Sequence, residues 1–269
     1  MAAEGLSAGA FCWVGLATSD PDAARPFYAD LLGWRGEELP AGEAGAYTLL
    51  RRGAREVAIL YRQTPEARRA RVAPHWTPYI LVEDADATAK RAAELGGAAV
   101  FRQAFDVLDE GRVAAIRDPT GAIASLWQPR SRAGSGLLSE PGALCWNELA
   151  TDDVELAKSF YSGLLAWEYE PHEDGYTTIR SGGRPNGGMR SRQADERGAA
   201  PSWLPYFMVE SAERTASDAE RLGGRALAPA AGIPFGRSAL IADPQGAAFA
   251  VLQSSSTRRS TSSARAKPA

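Results

Sequence analysis

Residues 11–34 read FCWVGLATSDPDAARPFYADLLGW, and residues 144–167 read LCWNELATDDVELAKSFYSGLLAW. Aligned without gaps, 12 of these 24 positions are identical. Two further blocks recur in the same order. WTPYILVEDADATAKRAAELGG begins at Trp76 and WLPYFMVESAERTASDAERLGG at Trp203. RDPTGAIASLWQ begins at Arg117 and ADPQGAAFAVLQ at Ala242. Self-similarity in two copies at one long period marks a duplicated unit of about 125 residues, and not a solenoid.

Within the first copy, Phe11–Ala17 is rich in β-formers and alternates, so it predicts a strand. Asp20 followed by Pro21 is a helix-start signature. Phe27, Tyr28, Leu31 and Leu32 share one helical face, and Gly33 ends the helix. Short strands around Trp34–Leu39, Tyr47–Arg51 and Glu56–Tyr61 complete a βαβββ module. A strand at Pro78–Val82, a helix at Asp84–Leu95 and strands near Ala98–Arg102, Arg112–Arg117 and Ala122–Gln128 repeat the plan. Asp118-Pro119-Thr120-Gly121 joins the last two as a tight turn. The fold expectation is α+β: two tandem domains, each a pair of βαβββ modules. The first spans 1–130 and the second 143–254. The Gly/Ser/Pro-rich segment 131–142 is expected to be a flexible linker, and 255–269 a disordered tail.

The chain has 269 residues, 45% apolar and 23% charged, which fits a folded chain and excludes a disordered one. Thirty Lys+Arg against 33 Asp+Glu give a net charge of -3, without the basic field that nucleic acid attracts. No stretch reaches the length of about 20 apolar residues that spans a bilayer. The first residues lack the pattern of a signal peptide. The expected location is cytoplasmic, with no membrane or nucleic-acid partner. Two Cys exclude a disulfide framework, and two His cannot supply the several ligands of a metal site in each copy. Cys12 and Cys145 are expected to be buried small apolar residues turned away from Trp13 and Trp146.

The strand followed by the "D…FY…LLGW" helix, the paired glycines after the second helix and the "DPxG" hairpin resemble the vicinal oxygen chelate superfamily. That superfamily includes glyoxalase I, extradiol dioxygenases and the fosfomycin and bleomycin resistance proteins. The resemblance covers residues 11–128 and 144–253. The two-copy layout is similar to actinobacterial tandem glyoxalase-like proteins often labelled hydroxylases, akin to a mycobacterial secreted-antigen group. The resemblance implies a cupped sheet whose inward side chains, usually His and Glu, hold a divalent ion. Those positions carry over to Trp13, Ile59, Thr77 and Ser125 in the first copy, and to Trp146, Gly188, Leu204 and Ala250 in the second. None is a good ligand. No metal and no cofactor are therefore expected, and the metal-dependent chemistry of glyoxalase I and of extradiol cleavage is not carried over.

Strand alternation turns Trp13, Gly15 and Ala17 inward together, and likewise Trp146, Glu148 and Ala150. Glu148 is a carboxylate inside an aromatic cup, suited to acid–base work or else to pairing with an Arg. Tyr79 and Tyr206 also point inward, with a ring and a hydroxyl to offer. The expected catalytic pair is Glu148 and Tyr206. The expected ligand contacts are Trp13, Tyr79, Trp127, Trp146 and, within GGRPNGGM, Asn186. Three function classes fit. The first is a metal-independent binder of a small aromatic or polyketide-like molecule, in secondary metabolism or self-resistance. The second is a metal-independent cyclase, isomerase or lyase using Glu148 and a Tyr. The third is an inactive structural or regulatory paralogue. Polar groups converging on one point of the cup favour an enzyme; aromatic walls alone favour a binder.

Overall fold

The computed structural model describes residues 6–42, 45–101, 103–196, 198 and 200–255. Beyond residue 255, the expected tail lies outside the described residues. The first half runs β1 (Phe11–Thr18), α1 (Pro21–Leu32), β2 (Arg35–Pro40), β3 (Ala46–Arg52), β4 (Arg55–Arg62), α2 (Pro65–Arg69), β5 (His75–Leu81), α3 (Ala85–Glu94), β6 (Ala98–Ala99), β7 (Phe105–Val107), β8 (Gly111–Arg117) and β9 (Ile123–Pro129). The second runs β10 (Leu144–Thr151), α4 (Val154–Leu165), β11 (Glu168–Pro171), β12 (Thr177–Ser181), β13 (Arg184–Ser191), β14 (Ser202–Met208), α5 (Ala212–Arg221), β15 (Arg225–Ile233), β16 (Gly236–Ala242) and β17 (Ala248–Ser254).

The strands form two sheets. One has the order β2-β3-β4-β1-β5-β9-β8-β6, with β7 beside β8; the other is β11-β12-β13-β10-β14-β17-β16-β15. In each sheet the first strands of the two modules meet antiparallel at the centre, Gly15 opposite Thr77 and Glu148 opposite Leu204. Each first strand also pairs in parallel with its module's last strand, Gly15 opposite Ile59 and Glu148 opposite Gly188. This is the expected α+β architecture of two tandem domains. The helix signals hold as well. Asp20 caps α1 by accepting from the Asp22 and Ala23 amides, and Gly33 closes it at φ 73°.

The two halves share their cores. One cluster joins Phe27, Tyr28, Trp34 and Trp76 to Phe207, Ile241 and Phe249. The other joins Phe11, Ile80 and Ile116 to Phe160, Trp167 and Trp203. The duplicated motifs make this contact. Tyr28 donates to Asp243 of the opposite half (3.0 Å) and accepts from Trp76 Nε1 (3.2 Å). Tyr161 donates to Asp118 (3.0 Å) and accepts from Trp203 Nε1 (3.2 Å). Trp34 and Trp167 donate across to the Gly142 and Gly9 carbonyls. The DPxG aspartates thus stabilise their own turns and anchor the other copy's helix.

The connection between halves is pinned, not loose as its composition suggested. Arg132 pairs with Glu56 and Glu110, and its carbonyl accepts from Trp127 Nε1. Ser135 is fully buried, and its amide donates to the Cys12 carbonyl. Small residues allow this close passage, because a Cβ on Gly134 would lie 2.8 Å from the Cys12 oxygen.

Candidate functional site

Each sheet presents one face to the shared cores and the other as a cup. In the first half the cup is filled. Trp13, Tyr79 and Trp127 are at most 7% exposed, packed with Tyr47, Leu49 and Val113. The hydroxyls of Tyr61, Thr77, Tyr79 and Ser125 come together here, and burial pushes both tyrosines above the ordinary phenol range. Tyr47 donates to Glu110 (2.6 Å), which also pairs with Arg132 of the connection. Trp13, Tyr79 and Trp127, the ligand contacts expected in this half, are buried against one another and their own sheet. Cys12 packs in this same cluster and not away from it, because the register slips between Phe11 and Trp13 and leaves Cys12 as a bulge. Both cysteines are free thiols; burial pushes Cys145 up to about 12.

The second cup differs at its floor. Where the first half has Gly15 and Tyr61, the second has Glu148 and Arg190, with Arg190 opposite Ala150 as Tyr61 is opposite Ala17. Arg190 Nε donates to Glu148 Oε1 at 2.8 Å. Its two Nη atoms grip Glu196, in the turn after β13, at 2.6 and 2.7 Å. Tyr206 donates to Glu148 Oε2 at 3.1 Å. Trp146 Nε1 donates to the Tyr176 hydroxyl at 2.8 Å. Trp146, Leu204, Tyr206, Leu240 and Leu252 stay partly exposed on this face, and the Phe235 ring lies 6.3 Å from Trp146. Burial and the Glu148 carboxylate push Tyr206 and Tyr176 above the ordinary phenol range. The hydrogen bond from Arg190 holds Glu196 below the ordinary carboxyl range.

The structure brings Trp146, Glu148 and Tyr206 together and takes Asn186 away. Ile179 pairs with Gly187 and Arg180 with Pro185, so Asn186 is an extra residue in a bulge. Its Oδ1 accepts from the Phe11 amide (3.0 Å) and its Nδ2 donates to the Gly9 carbonyl (3.1 Å). Asn186 ties the halves together, and its amide is spent there. The sequence reading missed Arg190, Tyr176, Glu196 and Phe235. One signal for Arg190 was available: Gly15 and Tyr61 change together to Glu148 and Arg190 between copies.

A divalent ion does not fit these residues. Among the described residues no group of three His, Cys, Asp or Glu could hold one. In the second cup, Trp146, Gly188, Leu204 and Ala250 offer no side-chain donor. A Cβ at Gly188 would lie 1.9 Å from the Tyr176 hydroxyl oxygen, so a tyrosine already fills that space. The carboxylate at the floor is already engaged by the Arg190 guanidinium and the Tyr206 hydroxyl, which leaves it no free oxygen geometry for a metal ion. A separate cleft of about 420 Å³ lies beside α3. Its Arg112 is already paired with Asp86 and Asp106.

Both halves of the chain match known protein families. The profile of the glyoxalase/bleomycin resistance protein/dioxygenase superfamily matches residues 11–124, and that of a glyoxalase-like domain matches residues 146–252. A Mycobacterium bovis protein provisionally named glyoxylase CFP32 is 37% identical over 247 residues, covering 90% of this chain and 93% of its own. The anthracycline biosynthesis protein DnrV of Streptomyces peucetius is 32% identical over 261 residues, covering 91% and 93%. The Mn(II)-bound glyoxalase of Novosphingobium aromaticivorans superposes with a TM-score of 0.62 at 14% identity, covering 91% of this chain and 82% of that one. At that identity the likeness concerns the fold.

Proposed function

Starting from the premise that this chain belongs to the glyoxalase/bleomycin resistance protein/dioxygenase superfamily, we propose that it uses the superfamily's cup without a resident metal ion. In this reading the second cup binds a small aromatic or polyketide-like molecule in secondary metabolism or self-resistance. The first cup is scaffold. The observation that carries the reading is the contrast between the cups: one closed by its own tyrosines and tryptophans, the other keeping Trp146 and Tyr206 partly exposed above a buried Glu148. A rigid aromatic wall with few fixed polar groups is what a small-molecule site requires. The relative in anthracycline biosynthesis supports the ligand class. The two free thiols suit the reducing cytoplasm, where we place the protein.

One observation favours an enzyme instead. Tyr206 and Glu148 are hydrogen-bonded at the floor, as an acid–base pair would be. We rank this second because Arg190 and Tyr206 both already bond the carboxylate, and burial pushes Tyr206 above the ordinary phenol range. Titrating tryptophan fluorescence with a hydroxylated anthraquinone separates the readings. For a binder, Trp146→Ala weakens affinity by roughly 1–3 kcal/mol, and EDTA leaves the wild-type titration unchanged. For an enzyme using Glu148, Glu148→Gln keeps affinity but cuts turnover by roughly 10²–10⁴. Saturable binding that requires an added divalent ion would sink both.

A further inference from the structure

We propose that the second cup selects aromatic ligands carrying a protonated amine over neutral or anionic ones. The inference rests on the binding reading of that cup and adds the charge of the ligand. Three charged side chains form the floor: Glu148, Glu196 and Arg190. Two carboxylates around one guanidinium leave one net negative charge. The adjacent Arg192–Asp152 pair adds none.

Arg190 does not reverse this balance, because four of its five N–H groups are engaged. Nε serves Glu148, Nη1 serves Glu196 and the Ser191 carbonyl, and Nη2 serves Glu196. An anionic ligand would find one Nη2 N–H, and any second contact would have to displace a charge-assisted bond. The hydroxyls point the same way. Tyr206 spends its proton on Glu148, and Tyr176, which accepts the Trp146 N–H, has its own proton directed at Glu148 as well. What they present is oxygen lone pairs, which accept. Around them lie the rings of Trp146, Tyr176, Tyr206 and Phe235, whose negative faces attract cations. Glu148 is 7% exposed, so water screens its field weakly. The first cup, with Gly15 and Tyr61 at the corresponding places, has neither charge.

The test uses three planar probes of nearly equal size on the full chain: aminomethyl-anthracene, hydroxymethyl-anthracene and anthracene carboxylate. The expected order of affinity is amine, then alcohol, then carboxylate, with the amine at least about tenfold ahead of the alcohol at low salt. That lead should shrink as salt rises. In Glu196→Gln, which brings the floor to neutrality, the lead should fall to a few-fold or less; the ratio is taken within the variant, so a general loss of stability does not mimic it. Equal binding of the probes, or a preference for the carboxylate, overturns the inference while leaving the binding reading intact. A full amine preference persisting in Glu196→Gln overturns the charge argument. Failure of all three probes overturns the binding reading and this inference with it.

Discussion

At Gly188 the second half departs from the first, where Ile59 stands. The missing side chain makes room for the Tyr176 hydroxyl, which receives the Trp146 N–H and thereby fixes the aromatic wall. Gly188→Ala places a methyl inside that contact. The expected cost is roughly 1–3 kcal/mol of stability from overpacking, with Tyr176 displaced and probe affinity reduced; thermal melts and a fluorescence titration measure the two effects. Some of this residue-scale picture was legible in the sequence. Trp146, Glu148 and Tyr206 follow from strand alternation once the family resemblance turns the Trp146 face inward, and an arginine partner for Glu148 was one of the stated options. Which arginine was signalled only by the paired change of Gly15 and Tyr61 to Glu148 and Arg190 between copies, because Arg190 reaches Glu148 across parallel strands separated by a helix and two strands. Tyr176 was hidden: its role depends on an absent side chain on the neighbouring strand.

Secondary elements were read well where local chemistry decides them and less well where pairing does. The Asp20 cap, Pro21 and Gly33 defined α1 directly. In the second copy, Ala166 takes the Gly33 place and is held at φ 54°. An L-residue is strained there. Ala166→Gly is expected to raise stability by about 0.5–1 kcal/mol, read as a higher denaturant midpoint at unchanged slope. An unchanged or lower midpoint contradicts this account of the cap. Bulges were the blind spot. Simple alternation turned Cys12 away from the Trp13 face, and one extra residue in β1 reversed that; a bulge in β13 likewise takes Asn186, expected at the ligand from the GGRPNGGM stretch, to the other half. Composition also misjudged the connection between halves. Glycine and serine permit flexibility, but here they permit close packing against Cys12 and Glu56.

Over the whole molecule, the duplication produced one body with two different cups. The repeated FY, LLGW or LLAW, and DPxG sequences carry the contact between halves, which is why sequence identity concentrates in them. The cup floors were free to diverge. Asp243 reports on this contact through pH. Burial raises its carboxyl above the ordinary range, so the native state holds that proton to higher pH than the unfolded chain does. Its contribution is therefore fully present below the ordinary carboxyl range and declines as pH rises through the folded value. Asp86, Asp106 and Glu196, held low by arginines, run in the opposite direction. The difference in melting temperature between wild type and Asp243→Asn isolates the Asp243 share: the variant should gain relative stability as pH rises through that window. A difference that stays flat, or runs the other way, removes the assignment.

The central claim is that one cup of two is a ligand site. Native mass spectrometry of the full chain with aminomethyl-anthracene, run beside Trp146→Ala and Trp13→Phe, addresses it directly. The account expects one probe per chain in the wild type, one in Trp13→Phe, and a strongly reduced bound fraction in Trp146→Ala. Two equivalent probes per chain, or binding that survives Trp146→Ala but is lost in Trp13→Phe, would contradict it.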